Sequence, residues 1–136
     1  MSAVASNKLI VLANEYRTED GAPLLIENPL LTSAAEEKAQ DMAERSYFSH
    51  QTPEGAEPWV FLDRAGYAYA VAGENLAVNF SESETVTNAW MNSPTHRANI
   101  VNREFTEIGV GVAQGVYKGH SATFVVQFFA QPTLPR

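Results

Sequence analysis

The sequence predicts an α+β fold in which helices cover two faces of a small, mostly antiparallel sheet. Three observations lead there. The first two-thirds of the chain repeatedly sets apolar residues at helical spacing between start and stop signals. The last third changes to alternation, with Ile108, Val110 and Val112 set against Gly109, Gly111 and Ala113. The closing run then alternates Phe124, Val126 and Phe128 with Val125, Gln127 and Phe129, so both of its faces are largely apolar and need cover.

The first helix spans roughly Ser6 to Glu19, with Leu9, Leu12 and Tyr16 in one stripe and a stop at Asp20-Gly21-Ala22-Pro23. The second starts with Asn28 as N-cap and Pro29 in the first helical position, where a missing N–H costs nothing. It runs to Arg45 or Ser46 with Leu31, Ala35, Ala39 and Met42 in its apolar stripe; Glu36, Glu37, Lys38, Asp41 and Glu44 are placed off that stripe. Pro58 opens a short third helix carrying Trp59, Phe61, Leu62 and Ala65, closed by Gly66. Ser81 and Glu84 form a capping-box pattern ahead of a fourth, with Val86, Ala89, Trp90 and Met91. Ser93, as N-cap before Pro94, restarts a turn of helix through Ile100. The strand at 108–113 has one bulky and one bare face, and a bare face lets another element approach the backbone closely. Lys118-Gly119 supplies a hairpin turn, and the strand at 124–129 belongs in mid-sheet.

At 136 residues and 14.9 kDa the chain is expected to form a single domain, 1–136. A net charge of −7 without a basic cluster argues against nucleic acid and against an anionic membrane surface. The absence of cysteine removes disulfide frameworks, thiol nucleophiles and thiolate metal sites. No apolar run is long enough to span a bilayer, and the N-terminus lacks the pattern of a signal peptide, so a cytosolic protein or an excised mature domain is expected.

Four residues stand out chemically. His50 follows the second helix, His96 lies on the short helix after Ser93, and His120 sits at the hairpin turn, where a surface role suffices. Glu74 lies in Ala70-Val71-Ala72-Gly73-Glu74-Asn75-Leu76-Ala77, with no cation adjacent in sequence. A carboxylate there either faces solvent or is buried with a partner, because an unpaired buried charge is costly.

The stretches Tyr47-Phe48-Ser49-His50, Gly73-Glu74-Asn75-Leu76, and Trp90-Met91-Asn92-Ser93-Pro94 running into His96-Arg97-Ala98-Asn99-Ile100 resemble the CAP superfamily, also called the SCP domain. That family holds cysteine-rich secretory proteins, venom antigens and plant pathogenesis-related proteins. The spacing is most similar to its bacterial, cysteine-free branch. Asn14-Glu15-Tyr16-Arg17, Phe105-Thr106-Glu107-Ile108-Gly109-Val110-Gly111-Val112 and Gln127-Phe128 extend the likeness from about residue 6 to 130.

The resemblance implies an α-β-α sandwich and a cleft where His50, Glu74 and His96 converge, as catalytic or metal-binding residues. Eukaryotic members carry a further glutamate where this chain has Ser93, so the four-residue set is incomplete. Two imidazoles and one carboxylate can hold zinc with an open fourth position. Without metal, Glu74 can orient one imidazole and raise its basicity. No cofactor is required on this reading; a divalent cation such as zinc is expected to bind weakly and exchangeably. The resemblance further implies an extracellular or cell-surface location. The function expected is a non-enzymatic binding or interaction module with an unidentified ligand in the His/Glu cleft. The alternatives are a metal-assisted or His/Glu-dependent hydrolase of peptidase type, or a binder of lipids or sterols. No nucleic acid and no membrane span are expected, and the sequence does not give the oligomeric state.

Overall fold

The computed structural model describes residues 4–133. Among them the chain forms α1 (Ser6–Asp20), β1 (Ile26–Glu27), α2 (Pro29–Arg45), α3 (Trp59–Ala65), β2 (Tyr69–Val78), α4 (Ser83–Met91), α5 (Pro94–Val101), β3 (Glu107–Tyr117) and β4 (His120–Pro132). The sheet order is β1-β3-β4-β2; β1 runs parallel to β3, and the other pairs are antiparallel. The α+β sandwich expected from the sequence is the fold observed.

Local chemistry sets most boundaries. Asn28 accepts a hydrogen bond from the N–H of Leu30, Pro29 opens α2, and Ser46 closes it in the left-handed region at φ 55°. Lys118 and Gly119 both have positive φ, which matches the right-handed twist of the β3–β4 hairpin. The expected capping box is corrected: α4 starts at Ser83 with Glu82 at the N-cap and no side-chain cap bond, which leaves Ser81 outside the helix.

The helices divide between the sheet faces. On one, α2 and α3 bury Leu31, Ala35, Met42 and Phe61 against Phe124, Val126 and Phe128. On the other, α1, α4 and α5 bury Leu9, Val86, Trp90 and Ile100 against Val110, Val125 and Phe129. β4 is thus the covered mid-sheet strand. The bare face of β3 is where α2 lands. A Cβ built on Gly109 would lie 2.2 Å from the Leu31 carbonyl carbon, and one on Gly111 would lie 2.3 Å from that of Ala35.

Two strands had no signal strong enough to read. β1 is two residues long. β2 contains Gly73, Glu74, Asn75 and Ala77, all poor strand formers, and is made a strand by its register against β4, Asn75 opposite Gln127. Arg17, fully buried, fixes where α5 stands. Its guanidinium donates to the carbonyls of Pro23 at 2.7 Å, Ile100 at 2.9 Å, Asn102 at 2.8 Å and Phe105 at 3.0 Å, holding α1 against the α5–β3 connection.

Candidate functional site

β2 is an edge strand, and adjacent residues on a strand point to opposite faces. Glu74 therefore turns toward α2, while Asn75 turns toward α5. The buried Asn75 amide donates to the His96 carbonyl at 3.2 Å and to Gln127 Oε1 at 3.1 Å. Asn99 donates to the Glu74 carbonyl at 3.1 Å and to Asn75 Oδ1 at 2.9 Å. Gly73 completes the unit, since a Cβ there would stand 2.8 Å from the Phe105 ring and 3.0 Å from Asn99 Oδ1. The three residues Gly73-Glu74-Asn75 thus join the two halves of the site across one strand.

On the α2 side, His50 Nδ1 lies 2.7 Å from Glu74 Oε1. Lys38 Nζ lies 3.4 Å from Glu74 Oε2 as an ion pair, and Oε2 has no hydrogen-bonded partner of good geometry. The same ammonium donates to the His50 carbonyl at 2.5 Å. The side chains of Lys38 and Glu74 are 0% and 1% exposed, whereas that of His50 is 58% exposed. Glu74 is therefore a buried support and His50 the presented group. The hydrogen bond to Glu74 raises the His50 pKa above the ordinary imidazole value, although burial opposes this. Burial lowers that of Lys38, and Glu74 counteracts it.

On the α5 side, the His96 ring is half-buried and its Nδ1 lies 2.7 Å from Ser93 Oγ. Ser93 holds the expected N-cap position of α5, but its hydroxyl makes no cap bond and is turned to the imidazole instead. Desolvation lowers the His96 pKa, and the charge of His50 lowers it further. Both His96 and Ser93 line a cavity of about 230 Å³ with Phe48, Leu76, Phe80 and Trp90. The structure bonds His50 to Glu74 directly and ties the His96 backbone to the same strand through Asn75; the His96 ring pairs with Ser93 instead of the carboxylate. His120 is exposed at the start of β4.

The pattern of the cysteine-rich secretory protein family, CAP, matches residues 11–129. The chain belongs to the CAP family. The chain is 40% identical over 107 residues to the protein YkwD of Bacillus subtilis (strain 168), a match covering 79% of this chain and 42% of YkwD. It is similar to an extracellular SCP-domain protein of Bacillus anthracis at 32% identity and TM-score 0.78, covering 93% of this chain and 40% of that one. An outer surface protein of Borrelia burgdorferi shares the fold at 24% identity and TM-score 0.79, covering 93% and 92%. The chain thus spans less than half the length of YkwD and of the B. anthracis protein. Among the described residues no helix is long and apolar enough to cross a membrane.

This CAP site does not fit a resident metal ion. Among the described residues no group of three His, Cys, Asp or Glu side chains stands close enough to hold one. Its carboxylate is already matched to the Lys38 ammonium, which is the residue the sequence reading missed. Placing Lys38 off the apolar stripe of α2 was wrong: positions 31, 35, 38 and 42 share one helical face, and Lys38 is fully buried on it beside the rings of Phe61 at 5.5 Å and Tyr47 at 6.0 Å. That spacing, a lysine in register with Leu31, Ala35 and Met42, was the signal that could have found it.

Proposed function

We propose that this CAP domain is a non-enzymatic recognition module of an extracellular or cell-surface protein, presenting the His50 imidazole beside the apolar cavity at His96. The observation that carries this reading is the commitment of Glu74. Its carboxylate is 1% exposed, with one oxygen on His50 and the other facing Lys38, so it orients a ring and is not offered to a substrate. With Nδ1 engaged by Glu74, Nε2 is the nitrogen left for a ligand. The neighbouring cavity, at about 230 Å³, lies below the ~300–1,000 Å³ of typical small-molecule sites, which favours a short apolar group over a sterol. The location is supported by the extracellular and outer-surface proteins that the chain resembles.

The test is an amide shift titration with short-chain carboxylates and N-acetylated dipeptides. Shifts should concentrate at Phe48, His50, Ser93 and His96 and weaken in His50→Ala. Shifts confined to other surfaces, or unchanged by His50→Ala, contradict the reading.

One contact favours a second reading, hydrolysis. Ser93 Oγ lies 2.7 Å from His96 Nδ1, and the lowered pKa of His96 keeps that imidazole neutral and able to accept a proton. Chromogenic short-chain esters decide between them. Turnover that disappears in both Ser93→Ala and His96→Ala establishes a hydrolase; a rate equal to that of buffer leaves the recognition module.

A further inference from the structure

We infer that Lys38 is the resident cation of the His/Glu site and that its ammonium keeps divalent metal ions off Glu74. The inference is independent of whether the site serves recognition or hydrolysis, because it concerns only what can occupy the carboxylate. It is also stricter than the sequence expectation of weak zinc binding.

Three observations carry it. The ammonium stands 3.4 Å from Glu74 Oε2, in a position where both side chains are at most 1% exposed, so bulk solvent screens the pair only weakly. The ammonium cannot easily swing away, since it also donates to the His50 carbonyl at 2.5 Å and its stem lies among Phe61 and Tyr47. The ring nitrogens nearest the carboxylate and Ser93 are engaged as well: His50 Nδ1 on Glu74 at 2.7 Å, and His96 Nδ1 on Ser93 at 2.7 Å.

Metal ligation would bring a doubly charged ion to about 2 Å from a carboxylate oxygen. That places it beside Lys38 Nζ, where two like charges repel with little solvent between them. It would also have to break the His50–Glu74 hydrogen bond to use either partner at that nitrogen. One ammonium therefore does for this carboxylate what a metal ion would do elsewhere: it neutralises the buried charge. Unlike a metal, it leaves no open coordination position for water or substrate.

The experiment is zinc titration of untagged protein at neutral pH, followed by calorimetry and by the histidine ring resonances. Wild type should show no saturable zinc site that depends on Glu74, so its response to zinc should be the same as that of Glu74→Gln. Lys38→Met fills the same volume without charge and should gain zinc affinity by at least ~10-fold, the scale on which residues behind the ligands tune a metal site. The gained site should perturb the His50 ring and vanish in Lys38→Met/Glu74→Gln. Lys38→Arg, which keeps the charge, should go on refusing zinc. Two results overturn the inference: zinc binding by wild type that is lost in Glu74→Gln, or a folded Lys38→Met that binds no better than wild type. Should Lys38→Met not fold, wild type against Glu74→Gln still decides, since zinc held by the first and lost by the second refutes the claim and its exclusion from wild type sustains it.

Discussion

The two cleft imidazoles are pushed in opposite directions by their immediate partners. His50 is held toward its protonated form by Glu74, and His96 is held neutral by burial and by the charge of His50. The linkage to stability follows in sign. The contribution of His50 is fully present below the ordinary imidazole value of 6.5 and is lost as pH rises through its raised folded value. His96 behaves oppositely: its contribution is present above 6.5 and is lost as pH falls through its lowered value. Urea midpoints measured across pH should therefore lose their alkaline decline in His50→Ala and part of their acid decline in His96→Ala. Equal profiles for the two variants would contradict the assignment. At this scale His50, Glu74 and His96 were legible because each sits in a distinctive local motif. Lys38 and Arg17 were not, because charged residues are expected on helix surfaces, and only the folded chain shows what their long side chains reach. Ser93 stands at the helix start as expected, but the partner of its hydroxyl was not legible, because one hydroxyl can serve either the helix end or an imidazole and the choice depends on how α5 sits against β2.

Among the elements, α2 and β3 set the geometry, since the helix that carries Lys38 rests directly on the glycine face of the strand. Gly111→Ala would thrust a Cβ to 2.3 Å from the α2 backbone at Ala35, one turn before Lys38. Overpacking of this kind costs about 1–3 kcal/mol or more, and the displaced helix should weaken the Lys38–Glu74 pair as well. Chemical denaturation, with the His50 resonance as a second probe, checks both effects; unchanged stability would contradict the close approach. Phe128→Ala should cost about 3–5 kcal/mol, because Phe128 is fully buried on the α2–α3 face. A loss below about 1 kcal/mol would not fit the mid-sheet position of β4. Helices were legible because prolines, asparagines and glycines punctuate them. The bare face of β3 was legible because alternating glycines have few other uses. β2 left no trace in local propensity: Gly73, Glu74 and Asn75 make the contacts of the candidate site, and the pairing with β4 imposes the strand.

For the molecule as a whole, two separately packed helical layers meet at one edge strand, and the site lies where they meet. Two apolar clusters fill the core and the chain has no cysteine for a disulfide; on the reading that no metal is structural, a chelator should leave the melting temperature unchanged. A structural zinc would contribute on the order of 10 kcal/mol, and its removal would be unmistakable. The family was legible because several separated motifs occur in the right order along nearly the whole chain, and the sandwich follows from it. The chemistry was less legible, because the residue that completes the carboxylate's environment lies on another element. The central claim is that a buried, lysine-neutralised glutamate presents His50 as the working surface. A pH titration of the histidine ring resonances in wild type and Glu74→Gln tests it most directly. The His50 midpoint should lie above 6.5 and that of His96 below it, and Glu74→Gln should bring His50 down. A His50 midpoint at or below that of His96, or one indifferent to Glu74→Gln, would contradict the account.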